Sequence, residues 1–157
     1  MTGDAPNPAL QVLALLGEIE LLVADLYRGF AGAFPEDRAL WEAMAAEEEV
    51  HAALVESLRR FAGPEAMPFA SGKINLASLG TYKKGLEYHM GRLRQGGLNR
   101  RSALFIARDL EKTLVERAFY EFVESDDPEI RAIRGRIEGE TEGHLGRLEE
   151  HIAKAGL

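Results

Sequence analysis

The sequence predicts an all-α fold, a four-helix bundle made of two antiparallel helical hairpins joined by a long crossover. Four long segments have apolar residues at three- and four-residue spacing, whereas the alternation typical of strands is scarce. Short links separate the first two segments and the last two, which favours antiparallel neighbours. About 35 residues separate the two pairs, and a connection of that length usually contains structure of its own.

The first hairpin is predicted over residues 8–33 and 36–62, and Gly63-Pro64 stops its second helix. Within the crossover, residues 79–93 have helical periodicity. We therefore expect a short extra helix between the two hairpins.

The second hairpin begins near Asn99, a residue type that caps helix N-termini well. Its last helix is expected to start at Asp126 or Asp127, with Pro128 in the first turn, and to run to Gly156. A chain of 157 residues is long enough for one domain with a full core, so we predict a single domain over residues 1–157.

Composition and charge argue against several classes of function. The net charge of -7 disfavours nucleic-acid and anionic-membrane partners, because an acidic surface releases no counterions there. The chain has no cysteine, which excludes disulfides, thiolate metal sites and cysteine nucleophiles. The N-terminal residues lack a secretory pattern and no apolar run approaches about 20 residues, so we expect a cytoplasmic protein.

An internal repeat relates the two hairpins. When the chain is shifted so that His51 falls on His144, residues of both helices of each hairpin align. The aligned pairs include Glu47 with Glu140, Glu18 with Glu111, and Tyr27 with Tyr120. This alignment favours a duplicated helical pair.

Each predicted helix carries polar residues in the middle of its apolar stripe. The stripes contain Glu20 in the first helix, Glu48 and His51 in the second, Asp109, Thr113 and Glu116 in the third, and Thr141 and His144 in the fourth. In a bundle these polar positions converge at one level. Unpaired buried carboxylates are costly, and a bound divalent cation removes that cost. Glutamate with neutral imidazole suits iron, manganese or zinc.

Each of these residues also has a structural explanation. Most glutamates are solvated surface charges, and a single core histidine is more often hydrogen-bonded structure than a ligand. Glu20, Glu48 and His51 at one level of the core are hard to explain by packing, so together they favour a metal site. Tyr27 is expected in the core with its hydroxyl toward this site, whereas His151 is expected to be exposed and not a ligand.

These residues resemble the rubrerythrin group of the ferritin-like superfamily of di-iron carboxylate proteins. The stretches "EIELLVADLY", "AAEEEVHAALVESL", "DLEKTLVERAFYEF" and "ETEGHLGRLEEH" are similar to its four bundle helices. The resemblance implies a ferritin-like four-helix bundle with a di-iron centre. In that centre the first and third helices each give a glutamate, and the second and fourth each give a Glu-x-x-His pair.

Carried over position by position, the resemblance assigns metal ligands to Glu20, Glu48, His51 and His144. Thr113 and Thr141 stand where two further glutamates are expected. Glu116, one turn beyond Thr113, and Glu140, four residues before His144, are the candidates that complete the set. Glu111 could serve as a ligand only if the third helix had a different phase from the predicted one.

The resemblance implies an oxidoreductase that binds two iron ions, with manganese or zinc as substitutes, and reduces peroxide or oxidises ferrous iron. The oxidant is peroxide or dioxygen, and a chain without cysteine needs an external electron donor in place of a rubredoxin-type domain. A homodimer is expected by analogy. The missing carboxylates leave open a centre with a single metal, or a degenerate, metal-free bundle that acts in dimerisation or partner binding.

Overall fold

The structure, a computed structural model, describes residues 8–61, 76–117 and 127–157, and these ranges contain helices and short links but no strand. In chain order the elements are α1 (Pro8–Ala33), a 3-10 turn (Pro35–Asp37), α2 (Arg38–Phe61), α3 (Leu76–Arg94), α4 (Arg100–Arg117) and α5 (Pro128–Ala155). The predicted all-α class and the extra helix in the crossover are confirmed within these ranges. The predicted stop at Gly63-Pro64 lies outside the described residues.

The predicted signals at both ends of α5 are present. The Asp127 side chain accepts a hydrogen bond from the backbone N–H of Glu129 at 2.8 Å, and Pro128 occupies the first turn. At the other end Gly156 adopts a left-handed conformation with φ of 70°, which a glycine allows without strain. These caps satisfy backbone groups that the helix itself cannot pair.

α1 and α2 form an antiparallel hairpin. Gly17, in the first half of α1, lies beside Val55, in the second half of α2. Near the connecting turn the Tyr27 ring packs on Trp41 with centroids 5.4 Å apart, and the Phe30 ring meets the same indole edge-on at 4.9 Å. This buried aromatic cluster fixes the two helices close to their junction.

One end of the bundle is closed by the cluster of Asp37, Arg100 and His151, which we call the Asp37 clamp. Asp37 lies in the turn between α1 and α2 and is 2% exposed. Arg100, at the start of α4, donates hydrogen bonds from Nε and Nη2 to the two carboxylate oxygens of Asp37, at 2.7 and 2.9 Å. Near the end of α5, His151 Nε2 lies 2.7 Å from Asp37 Oδ1. The clamp thus joins three segments that are far apart in the chain.

The contacts of α4 and α5 give the direction of each helix. α4 starts at the clamp, where α1 ends and α2 begins. Further along α4, Glu111 meets Tyr27, which lies before the end of α1. α4 therefore runs antiparallel to α1 and parallel to α2. α5 returns to the clamp and runs antiparallel to α4. Because α2 and α4 are parallel, the chain between them has to run back along the bundle, and α3 is the described part of that connection.

α3 packs along α1 in the same direction. Lys83 Nζ donates to Glu18 Oε2 at 3.0 Å early in both helices. Later in both, a Cβ on Gly29 would lie 2.5 Å from Leu93 Cδ2, so the glycine permits a close approach of α3 to α1. Among the helices of the described ranges, none combines the length and apolar composition needed to cross a membrane.

The buried face of α4 differs from the predicted one. It is formed by Ala103, Leu104, Ala107, Leu110, Glu111 and Leu114. Asp109, predicted on the inward stripe, has a side chain that is 67% exposed, and Thr113 is only half-buried. The predicted stripe was therefore wrong in phase. The reason is that the burial of three leucine side chains orients the helix. Burying each of them stabilises the fold by about 1.5–3 kcal/mol.

Candidate metal centre

Five ionisable side chains are buried together in the middle of the bundle. Their exposed fractions are 2% for Glu20 on α1, 1% and 0% for Glu48 and His51 on α2, and 0% for both Glu111 on α4 and His144 on α5. Each of the four long helices therefore contributes to one polar layer. Charged side chains this deeply buried need partners, since an isolated buried charge is strongly unfavourable.

The local sequence explains why these side chains point inward. Leu16 and Val23, about one turn to either side of Glu20, are fully buried and carry the carboxylate with them into the core. Glu48 and His51 are three residues apart, which places them on one face of α2.

Glu48 lies at the centre of the layer. Its Oε2 is 3.2 Å from His51 Nδ1, and its Oε1 is 2.8 Å from His144 Nδ1. Glu20 Oε2 lies 4.0 Å from His51 Nδ1, and Glu111 Oε1 lies 3.5 Å from His144 Nδ1. The two imidazole rings are stacked with centroids 5.4 Å apart.

The layer divides into two groups of possible metal ligands. One group is Glu20, Glu48 and His51, and the other is Glu48, Glu111 and His144. Within each group, one ligand atom from each residue lies within 4.8 Å of the others. Glu48 belongs to both groups.

Some buried polar atoms of this layer have no hydrogen-bond partner among the described residues. They include Glu48 Oε1, Glu111 Oε2 and His144 Nδ1. Glu48 Oε1 and His144 Nδ1 are close together but are not oriented for a hydrogen bond. Leaving a buried polar atom unpaired costs about 1–3 kcal/mol. Three carboxylates with two imidazoles form a donor set that suits divalent transition-metal ions, so these residues fit a metal centre.

The protonation of the metal-free layer is governed by burial and by the neighbouring charges. Burial, together with the charge of Glu48, raises the pKa of Glu111 to about 7. Burial by itself would lower the pKa of His144, but Glu111 and Glu48 raise it to about 10. Burial would likewise raise the pKa of Glu48, yet His144 and His51 hold it well below its usual value. Without a metal, protonated imidazoles therefore balance the charge of the buried carboxylates. A bound metal cation can replace the protons of the imidazoles.

Two further glutamates hold the outer nitrogens of the histidines. His51 Nε2 lies 2.7 Å from Glu140 Oε2, and Glu140 Oε1 accepts from Arg136 Nε at 2.8 Å. On the other side, His144 Nε2 contacts Glu47 Oε2, which also accepts from Arg147. These arrangements turn each Nδ1 toward the centre of the layer. Metal-ligating histidines commonly donate their other N–H to a carboxylate in this way.

A buried tyrosine supports the second group of ligands. Tyr27 donates its hydroxyl to Glu111 Oε1 at 2.6 Å. Burial, followed by the charge of Glu111, raises the pKa of Tyr27 well above its usual value, so the hydroxyl stays a donor. Tyr82 on α3 donates to the backbone carbonyl of Leu110 at 3.1 Å, one residue before Glu111. The hydroxyl of Tyr27 therefore points toward the layer, as expected.

The structure brings together four of the six predicted ligands, namely Glu20, Glu48, His51 and His144. Glu140 has a different place from the predicted one, at the outer nitrogen of His51, because its carboxylate pairs with Arg136 at the surface. The side chain of Glu116 lies outside the described residues. Thr141 is buried and donates its hydroxyl to the carbonyl of Ile137 at 2.8 Å.

Glu111 is a ligand candidate that the predicted phase of the third helix had set aside. A signal for it is present in the spacing, because Glu111 lies seven residues after Leu104 and three before Leu114, on the face that carries the leucines. Glu20 precedes Glu48 by 28 residues, whereas Glu111 precedes Thr141 by 30. An alignment that allowed two extra residues in the second hairpin would have paired Glu111 with Glu20.

The fold and the site define a helical bundle with buried glutamate and histidine groups that could hold a metal ion. No protein-family model matches the chain, and neither the curated proteins nor the solved structures contain a match to it.

Proposed function

We propose that the chain is a ferritin-like, rubrerythrin-type oxidoreductase whose buried layer binds two divalent metal ions, iron first and manganese second. The observation that carries the proposal is the position of Glu48. Its two carboxylate oxygens face different imidazoles, and it belongs to both groups of ligands. A single cation would use only one of these groups, so the arrangement favours two.

Glu111 supports a two-metal centre in particular. The sequence left the third helix without a ligand at Thr113, and Glu111 supplies a carboxylate beside His144 instead. Each imidazole then has its own carboxylate, Glu20 for His51 and Glu111 for His144, in addition to the shared Glu48. The parallel course of α2 and α4 is also the order expected of a ferritin-like bundle with one long crossover.

The chemistry follows from the type of metal. Two bound ferrous ions would supply two electrons, which reduce hydrogen peroxide to two water molecules with the uptake of two protons. The residues of the chain hold the negative charge, exclude bulk water and fix the imidazoles through Glu47 and Glu140. Because the chain has no cysteine, an external donor has to return the electrons.

Metal loading tests this proposal directly. Protein purified without metal is loaded with ferrous iron under anaerobic conditions, desalted and analysed for bound metal. We expect about two iron ions per chain, and oxidation of both after addition of one equivalent of peroxide. Glu48→Gln should lose most of the bound metal, whereas Glu42→Gln, an exposed position on the same helix, should bind as the unmodified protein does. Absence of bound metal in the unmodified protein would overturn the proposal.

A further inference from the structure

The two halves of the buried layer match each other except at one position. Matching pairs are Glu20 with Glu111, His51 with His144, and Glu47 with Glu140. Glu48 has no such counterpart. The residue three before His144, which corresponds to Glu48 three before His51, is Thr141.

Thr141 cannot act as that counterpart. It is 7% exposed, and its hydroxyl is turned back to the carbonyl of Ile137 at 2.8 Å. A threonine side chain also ends two bonds short of the position that a glutamate carboxylate reaches. The layer therefore receives a shared carboxylate from α2 and none from α5.

As a result, the carboxylates of the layer do not neutralise two bound divalent cations. Glu20, Glu48 and Glu111 supply three negative charges, whereas two divalent cations supply four positive ones, so one positive charge is in excess. The outer carboxylates do not offset it, because Glu140 is paired with Arg136 and Glu47 with Arg147. An uncompensated charge is costly at this depth in the protein.

We propose that the position of Thr141 is a binding site for a small monoanionic carboxylate, such as formate or acetate, which completes the metal centre in place of the missing glutamate. The inference rests on the two-metal function proposed above. The buried atoms without hydrogen-bond partners, Glu48 Oε1, Glu111 Oε2 and His144 Nδ1, are groups that bind cations, so none of them takes the place of the missing negative charge. A carboxylate is the group that the pattern of Glu48 and His51 predicts at this position.

The test measures manganese binding with and without sodium formate in a non-coordinating buffer by titration calorimetry. Because coupling between two ligands is reciprocal, formate should tighten manganese binding to the unmodified protein at least about fivefold. Thr141→Val keeps the size of the side chain and adds no charge, so it should retain the effect of formate. Thr141→Glu supplies the missing carboxylate, so it should bind manganese more tightly without formate and lose the formate effect.

A second measurement uses carbon-13 formate and the manganese-loaded, desalted proteins. The paramagnetic broadening of the formate signal should be large for the unmodified protein and for Thr141→Val. It should fall to the level of metal-free protein for Thr141→Glu. If circular dichroism shows that Thr141→Glu is not folded, Thr141→Asp adds the same charge in a smaller volume and replaces it.

The outcomes distinguish failure of the anion site from failure of the proposed two-metal function. Two manganese ions per chain with no effect of formate would overturn the anion site alone and assign the remaining charge to hydroxide from water. Equal formate effects in Thr141→Glu and the unmodified protein would also overturn it, because the anion would then bind elsewhere. Absence of metal binding would overturn both proposals.

Discussion

Within the described residues the bundle has two buried polar clusters, and they differ in how their charges are satisfied. In the Asp37 clamp, both carboxylate oxygens of Asp37 are bonded, by the Arg100 guanidinium and by His151. In the central layer, carboxylates face carboxylates across two imidazoles, and buried atoms of Glu48 and His144 lack hydrogen-bond partners. Burial of charge alone therefore does not indicate a ligand site. A cluster whose bonds are complete stabilises the fold, whereas a cluster with unfilled bonding positions is suited to bind something.

The largest expected difference between the clusters is their response to metal. Manganese at about 100 times its dissociation constant should stabilise the folded protein by about 2.7 kcal/mol. For a chain of this length that corresponds to a rise of about 5–10 °C in the midpoint of thermal unfolding. Glu111→Gln should lose much of this rise. Without metal it should unfold near the unmodified protein, since glutamine resembles the protonated carboxyl of a group whose pKa is raised to about 7.

Replacement of Asp37 should give the opposite pattern. Asp37→Asn keeps the size of the side chain but removes charge-assisted hydrogen bonds with Arg100, each worth about 1.5–3 kcal/mol. We expect the free energy of unfolding to fall by about 2 kcal/mol in urea titrations, with the metal-induced rise unchanged. Glu36→Gln is the matched control, because Glu36 contacts the same arginine from a side chain that is 71% exposed. A clamp variant that lost metal binding would show that the clusters are coupled.

A smaller effect is expected at the outer carboxylates. Glu140→Ala frees the outer nitrogen of His51 and should weaken metal binding about tenfold. Glu140→Gln should restore part of this affinity, because its amide oxygen can still accept from the imidazole. Glu138→Ala on the same helix, whose partner is Arg134, should leave metal affinity unchanged. The measurement is competition for metal against a chelating dye.

The smallest expected effect is on the pH dependence of the free energy of unfolding. The hydrogen bond from Arg100 lowers the pKa of Asp37 in the folded protein. The stabilisation from this group is therefore complete above the pKa of an unfolded aspartate, about 3.9, and is lost as the pH falls from there through the lower folded value. The difference in unfolding free energy between the unmodified protein and Asp37→Asn should accordingly narrow below about pH 4. A constant difference down to pH 3 would contradict this account.

Most of the fold could be predicted from the sequence, because long helices with clear stop signals leave few alternatives. α1 and α2 also showed their inward faces, since Leu16 and Val23 flank Glu20 and leave only one phase for the carboxylate. α4 gave no such information. Residues 103–107 are five consecutive apolar residues, "ALFIA", which are compatible with several helical phases. Packing against the other helices decides among these phases, and for that reason the prediction placed Glu111 off the inward stripe.

The place of Glu140 illustrates a different limit. Helical phase predicts that a side chain leans toward a histidine, but it does not predict which ring nitrogen the carboxylate meets. That choice depends on Arg136, which holds Glu140 near the surface, and on the path of α5 beside α2. The identity of the metal, the electron donor and the predicted homodimer stay predictions, since they depend on partners outside a single chain.

The position of α3 has a consequence for how the centre exchanges material with solvent. α3 covers the side of the bundle formed by α1 and α4, through the close approach at Gly29 and the bond from Tyr82 to Leu110. On the opposite side, between α2 and α5, Glu47 and Glu140 reach from the histidines to the surface with 40% and 34% of their side chains exposed. Ions and protons that enter or leave the interior should therefore cross between α2 and α5, where these partly exposed carboxylates connect the buried histidines with solvent.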